Sequence, residues 1–373
     1  MQYTLNDIIS EYTEKNTGGI YRPVAVGKYG IRQRSEIYKK ELAKDYSKNK
    51  VIHNNTMIIG MGSTQIDFGV LCEDEIYSVS PAYHTFNIKT SLVRSKYFDY
   101  LLQAKNKSYT EKYMIASARQ GKTVNLKDLL KERIEIPCFE TQKEIIKNVD
   151  LIKELIFNEE KYLNLLNELI KSRFIEMFET IDLSEERMDW TELKDVTKIY
   201  TGTTPSSTDE SNWNGDILWI TPAEMNSDSI YIYDTVRKIT EKGRKSKSLD
   251  IMPVNTVLLS TRAPIGKVGI VGKPMACNQG FKNFECGPKL NPIFLYILLK
   301  NNTEYLNSLG SGTTFLEVSK TRISKLKVPV PPIERQMEFA EFVKQVGKSK
   351  FVVQERIKLY QELLNKKMDE YFN

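Results

Sequence analysis

The chain has 373 residues, enough for at least two separate hydrophobic cores and too many for one compact domain. With 40% hydrophobic and 27% charged residues it has the composition of a folded protein, which excludes a disordered chain, and its 54 basic against 48 acidic side chains leave a surplus of only +6. Two histidines and four scattered cysteines (Cys72, Cys138, Cys277, Cys286) give little material for histidine chemistry, a zinc module or a disulfide framework, and a reducing cytoplasm is the expected home.

In chain order, the opening MQYTLNDIIS has neither the basic nor the apolar region of a signal peptide, and the longest apolar run, residues 293–299, is too short to span a bilayer. Neither secretion nor membrane insertion is expected. Residues 55–59 (NTMII) are rich in β-branched and apolar side chains and predict a strand. Residues 116–123 end in Gly-Lys-Thr like a phosphate-binding loop. Ala116 stands where the first glycine of that motif belongs, so a connecting loop is the better reading. After Pro137, the residues Ile145, Val149, Ile152, Ile156, Leu163, Leu166 and Ile170 recur in steps of four and three, with Glu159 as a polar interruption; this is the apolar seam of a long helix.

Residues 217–220 (ILWI) and 268–271 (VGIV) predict further strands between Gly, Pro, Asn and Ser. Asn291-Pro292 is like part of an amino-methyltransferase motif, but the second proline is missing, and an N-cap with proline at the first helical position explains the pair better. Following Pro331-Pro332, a second long helix carries Phe339, Val343, Val346, Val353, Ile357, Tyr360 and Leu364, interrupted by Lys350. At 1.5 Å per residue, each helix of about 40 residues would be about 60 Å long.

The two tails are copies. Residues 124–178 align without a gap on 318–372 at a constant offset of 194, with identities that include Pro137/Pro331, Gln142/Gln336, Val149/Val343, Leu165/Leu359 and Leu169/Leu363. Weaker matches lie upstream: residues 55–59 over 255–259, Gly69 over Gly269, and residues 5–8 over 193–196. The order is therefore globular unit, helix, globular unit, helix, each globular unit of mixed α and β structure.

Residues 1–139 carry a net +6, whereas 140–178 carry −2 and the remaining two segments +1 each, so the surplus belongs to the globular units and mainly to the first. Within the second, six basic residues between Arg237 and Lys247 face only Glu241. In the first, Lys28, Arg32, Arg34, Lys39 and Lys40 are interleaved with Tyr29 and Tyr38. Duplex DNA attracts such clusters because each neutralised phosphate releases counterions, but composition alone favours an ordinary solvated loop.

The run Val328-Pro329-Val330-Pro331-Pro332-Ile333-Glu334-Arg335-Gln336 before a long helix, with its degenerate copy at residues 136–142, resembles the specificity subunits of type I restriction-modification systems. So do Trp190, Gly202-Thr203-Thr204-Pro205, Trp213, Gly215, Trp219 and Asn278-Gln279-Gly280-Phe281, which look like a target recognition domain. The resemblance implies an α+β chain with two mixed α/β target recognition domains, at 1–137 and 179–331. Each is followed by a spacer helix, at 138–178 and 332–373, and the two helices pair as an antiparallel coiled coil with pseudo-twofold symmetry. It further implies a non-catalytic role: each domain reads half of a bipartite double-stranded DNA site, and the helices set the spacing and dock two methyltransferase subunits. Motor-nuclease restriction subunits are further partners. No cofactor or metal is expected on this chain, S-adenosylmethionine belonging to the methyltransferase. The alternatives are a stand-alone DNA adenine methyltransferase or nuclease, and a coiled-coil scaffold without a DNA role. Charge, turn chemistry and motif position nominate Lys28, Arg32, Arg34, Lys39, Lys40, Ser63, Thr203, Thr204, Lys242, Arg244, Lys245, Lys247, Arg262 and Lys282 for DNA contact, and the fourteen seam residues named above for helix pairing.

Overall fold

The computed structural model describes residues 1–27, 30–34, 45–117, 121–185, 187–225, 229–262, 264–311 and 316–373. By packing, the chain divides into two compact units, residues 1–160 with 355–373 and residues 161–354. Each long helix, Phe139–Phe178 and Ile333–Phe372, contributes to both, so the predicted segments 138–178 and 332–373 do not stand as separate bodies. The reason is that their apolar positions are buried against globular residues as well as against helix.

The first unit is built on a four-stranded antiparallel sheet in the order Ile9–Glu11, His84–Ile88, Thr56–Met61, Ile66–Leu71. The predicted strand at 55–59 is the start of Thr56–Met61, and its run of apolar residues follows from burial on both faces. One face packs against helix Ser95–Tyr113 through Phe98, Leu101 and Leu102, continuing to Val149 and Phe372 of the long helices. The other face carries Val24, Val26, Ile58 and Leu71 with the hairpin Val24–Gly27/Gly30–Gln33. Strand Gln2–Thr4 pairs with Arg133–Glu135, bringing the start of the unit beside the entry to its long helix.

The second unit repeats this frame. Its sheet runs Thr197–Thr201, Lys282–Cys286, Val257–Leu259, Val268–Val271, Tyr231–Ile232, and Thr191–Glu192 pairs with Lys327–Val328 at the corresponding place. The ladders agree in register: Ile58 stands opposite Gly69 and Leu258 opposite Gly269. Both glycines sit under a neighbouring isoleucine, since a Cβ would lie 2.8 Å from Ile31 Cγ1 in the first and 3.0 Å from Ile232 Cδ1 in the second. Asn55 and Asn255 both take left-handed backbone, at φ 68° and 70°, and donate their N–H groups to Leu71 O and Val271 O. What differs is an added sheet in the second unit, where Trp213–Ile220 lies between Arg237–Ile239 and Met275–Cys277.

The copies also share a buried polar joint at the head of each long helix. Gln142 accepts from the backbone N–H of Arg94 (2.8 Å) and donates to Pro137 O (2.9 Å) and Leu92 O (3.4 Å). Gln336 accepts from Asn291 N–H (2.8 Å) and donates to Pro331 O (2.7 Å) and Lys289 O (3.0 Å). Both side chains are fully buried. Asn291 in turn caps helix Pro292–Asn301 by accepting from Ile293 N–H, with Pro292 at the first helical position.

All fourteen predicted seam residues are buried or half-buried. In the first unit Asn148 Nδ2 donates to Tyr371 Oη (3.1 Å) and Arg356 pairs with Glu159 (2.9 Å). In the second, Lys350 Nζ donates to Asn167 Oδ1 (2.7 Å) and Arg335 to Met177 O (2.6 Å). Apolar packing there runs beyond the predicted seam: Phe174 and Phe178 both meet Phe339 edge-on, and on Phe294 of helix Pro292–Asn301 Phe174 stacks while Phe178 meets it edge-on. Among the described residues no helix is long and apolar enough to cross a membrane.

Replacing the buried Gln336 by Leu leaves one part-buried N–H and two carbonyls without their partner, so the variant is expected to lose about 2 kcal/mol of unfolding free energy in urea titration. A loss below about 1 kcal/mol would show that water replaces the amide.

Candidate nucleic-acid interface

In the first unit Arg32 lies exposed on strand Gly30–Gln33, and Arg34 follows it with its guanidinium carbon 5.8 Å from the Tyr46 ring centroid. Ser63 is exposed in the turn joining Thr56–Met61 to Ile66–Leu71, which Gly62 N–H closes onto Gln65 O. Lys28, Lys39 and Lys40, with Tyr29 and Tyr38, lie outside the described residues. Lys122 of the Gly-Lys-Thr run is exposed on a hairpin, Met114–Ala116 with Lys122–Val124, followed by the four-residue helix Leu126–Leu129. A phosphate-binding loop needs a buried strand leading directly into a helix whose N–H groups point at the anion, and these described residues do not supply it. Residues 118–120 of the run lie outside the described residues.

In the second unit the 237–247 cluster is less positive than its composition. Arg244 makes two hydrogen bonds to Glu241 (2.6 and 2.8 Å) and a third to Leu249 O. Lys245 also approaches Glu241 (3.7 Å), Lys242 pairs with Asp209 (3.3 Å) and Lys238 with Asp234 (3.4 Å). Hydrogen bonds from Arg244 hold the Glu241 carboxyl below its usual range, and those from Ser211 and then Lys242 do the same for Asp209. Arg237 is stacked on Trp213 at 3.5 Å, itself edge-on to the buried Trp219. Lys247 is exposed and has no ion pair among the described residues. The local surplus is therefore reduced by two acids, Asp209 and Asp234, that lie outside the stretch.

Thr203 and Thr204 lie where two motifs meet. Gly202 passes so close to the backbone of Cys277 that a Cβ would stand 1.9 Å from its carbonyl oxygen. Thr203 O accepts from Trp219 Nε1 (3.1 Å), and the Thr204 hydroxyl donates to Gln279 Oε1 (2.7 Å). Nearby, Arg262 and Lys282 share Glu317, at 2.9 and 3.5 Å. Lys282 is the clearest correction to the nominated contacts. Its side chain is buried at the start of strand Lys282–Cys286, burial pushes its ammonium pKa down against the opposing pull of Glu317, and among the described residues it also donates to Thr261 Oγ1 (3.4 Å). The ammonium is taken up inside the unit and is not presented to a ligand. Among the described residues no group of three or more His, Cys, Asp or Glu side chains could hold a metal ion.

The type I restriction modification DNA specificity domain matches this sequence twice, over residues 7–168 and 186–362. The chain belongs to that family. It is 38% identical over 177 residues to the MjaIX specificity subunit of Methanocaldococcus jannaschii, covering 46% of this chain and 41% of the relative. Identity to a putative MjaX specificity subunit from the same organism is 24% over 265 residues, covering 67% and 60% respectively. The matched regions thus span about half the length of these relatives. Among solved structures, the type I S subunit from M. genitalium superposes with a TM-score of 0.56 at 14% identity, over 99% of this chain and 95% of that one. A chain from a type I R-M system studied for complex assembly and conformational transition gives 0.54 at 16% identity, over 100% and 97%. At these identities the likeness concerns the fold.

Each specificity-domain match takes in a sheet, the buried glutamine and most of one long helix, so the family unit coincides with the internal repeat and not with the globular part alone. The Glu317 carboxylate that joins Arg262 to Lys282 was invisible to local reading because it lies 55 and 35 positions away. Glu317→Gln leaves the Lys282 ammonium buried without its counter-charge, and the variant is expected to lose about 2 kcal/mol of stability in thermal or urea unfolding. An unchanged midpoint would mean that Lys282 turns out to solvent.

Proposed function

We propose that the chain is a non-catalytic, cytoplasmic DNA-recognition subunit of a type I restriction-modification complex. Each globular unit reads one half of a bipartite duplex site. The two long helices pair as an antiparallel coiled coil with pseudo-twofold symmetry, fix the distance between half-sites, and dock methyltransferase subunits, two per chain, that bring S-adenosylmethionine. Motor-nuclease subunits join the same assembly.

The observation that carries this reading is the duplication of one frame with divergent additions: the same ladder register, left-handed asparagines and buried glutamines recur, while the hairpins of the first unit and the three-stranded sheet of the second differ. A conserved frame with different surfaces suits a protein that holds two readers of different half-sites. Docking is supported by the helices. Phe157 and Phe351 are each 64% exposed, and Leu165/Leu359 and Leu169/Leu363 are exposed as well, identical residues at matched positions of the two copies. Water-facing apolar side chains retained in both copies are what two like protein partners would cover.

The test is the pattern of methylated adenines in DNA from cells carrying this chain and its methyltransferase. One bipartite motif is expected, and exchanging residues 1–123 for those of another family member should alter one half only. Alteration of both halves, or none, would refute the assignment. Affinity of the assembled complex for that site should fall linearly on a log–log plot against salt.

Val149 and Val343 are fully buried in their units. Aspartate at either places an unpaired charge there, costing about 3 kcal/mol or more. Loss of the methyltransferase complex on size exclusion is the expected outcome; an intact complex would remove the helices from assembly.

A further inference from the structure

The two copies diverge at one helix position in a way the fold does not require. Lys153 of the first unit lays its ammonium 4.0 Å from the Tyr100 ring centroid and donates to Gln103, which also holds Asp99. Its counterpart at the offset of 194 is Gly347, in the middle of helix Ile333–Phe372. Glycine is unfavourable inside a helix, and nothing here demands it, since a Cβ at Gly347 would meet no atom within 4 Å. The space it leaves is part of a groove of about 510 Å³ within the second unit. Ile293, Val343 and Tyr231 line it, with Lys344 and Lys348 among its basic residues, and among the described residues no carboxylate does. Lys344 reaches Glu341 only at 3.9 Å. Phe351, Val352 and Tyr233, also on the groove, are more than half exposed.

We infer that this groove takes a segment of the partner methyltransferase subunit in which apolar anchor side chains are flanked by carboxylates. This rests on the docking reading above and narrows it. The floor of Ile293 and Val343 has no use for a purely ionic ligand, and Tyr233, Phe351 and Val352 at its exposed rim offer apolar side chains a place to anchor. Lys344 and Lys348 beside that apolar surface give the charge complement for carboxylates at the ends of an apolar segment. The matched place in the first unit is charged and internally paired, so the two docked copies meet different surfaces.

The experiment titrates the purified methyltransferase subunit onto immobilised full-length chain. Gly347→Leu fills the groove while improving helix propensity, Gly347→Ala leaves it open, and the double change Lys344→Glu/Lys348→Glu reverses its charge. The expected result is at least tenfold weaker binding of one partner copy for the Leu and double-Glu variants, with the Ala variant like wild type. The double-Glu variant alters exposed residues only and so decides the matter even if Gly347→Leu perturbs folding. Equal affinity of all four proteins overturns the groove assignment and leaves docking elsewhere on the helices intact. No binding to wild type overturns the docking reading itself. A labelled twelve-residue oligo-dT strand bound by wild type and lost in Gly347→Leu, or self-association abolished by that change, would overturn the inference in favour of nucleic acid or a second copy.

Discussion

Everything in each unit converges on one buried side-chain amide. At the first turn of each long helix a glutamine links three backbone groups: the proline carbonyl ahead of the helix, a loop carbonyl, and the N–H that opens the helix packed on the sheet. A buried amide satisfies its neighbours only in one orientation, so the direction in which the long helix leaves the globular part is set by hydrogen-bond geometry as well as by apolar packing. Apolar contact alone would permit the helix to roll. The same amide, with the same partners, at two places 194 residues apart is why the duplication is a duplication of architecture.

What could be read from the sequence follows from the range of the interactions concerned. The helices were legible because a seam is a local period, and the strand runs 55–59, 217–220 and 268–271, which overlap Thr56–Met61, Trp213–Ile220 and Val268–Val271, because β-branched runs between turn residues are local too. The duplication could be seen because the tails kept their length. By contrast, Phe174 and Phe178 continue the packing past the predicted seam through Phe294, more than a hundred residues away. The interface suffered most. Counting charge along 237–247 stopped three residues short of Asp234, which pairs with Lys238, and missed Asp209 and the burial of Lys282 against Glu317 because those ion pairs join residues 33 and 35 positions apart.

The tryptophans show the same division of labour. Trp213 and Trp219 belong to the motif set that suggested a recognition domain, yet both are buried, edge to face, with Arg237 stacked on one of them and their indole N–H groups given to Ser206 and Thr203 carbonyls. They hold the added sheet against the Gly202–Pro205 loop. Motif residues can thus serve as internal anchors, and divergence between the units is free to fall on the exposed hairpins and turns around them.

The polar interruptions of the helices complete the account. Glu159 and Lys350 do not occupy matched positions of the repeat, and each finds its own polar partner: Glu159 the Arg356 guanidinium, Lys350 the Asn167 side-chain oxygen. Lys350 is almost fully buried. Sliding its helix by half a heptad would set that ammonium against Leu163 or Ile170, where desolvation would go uncompensated, whereas Val, Ile and Leu contacts would re-form at little cost. Apolar residues therefore supply the attraction between the segments of each unit, and the two polar residues that interrupt them are tolerated because each has a partner of its own within its unit.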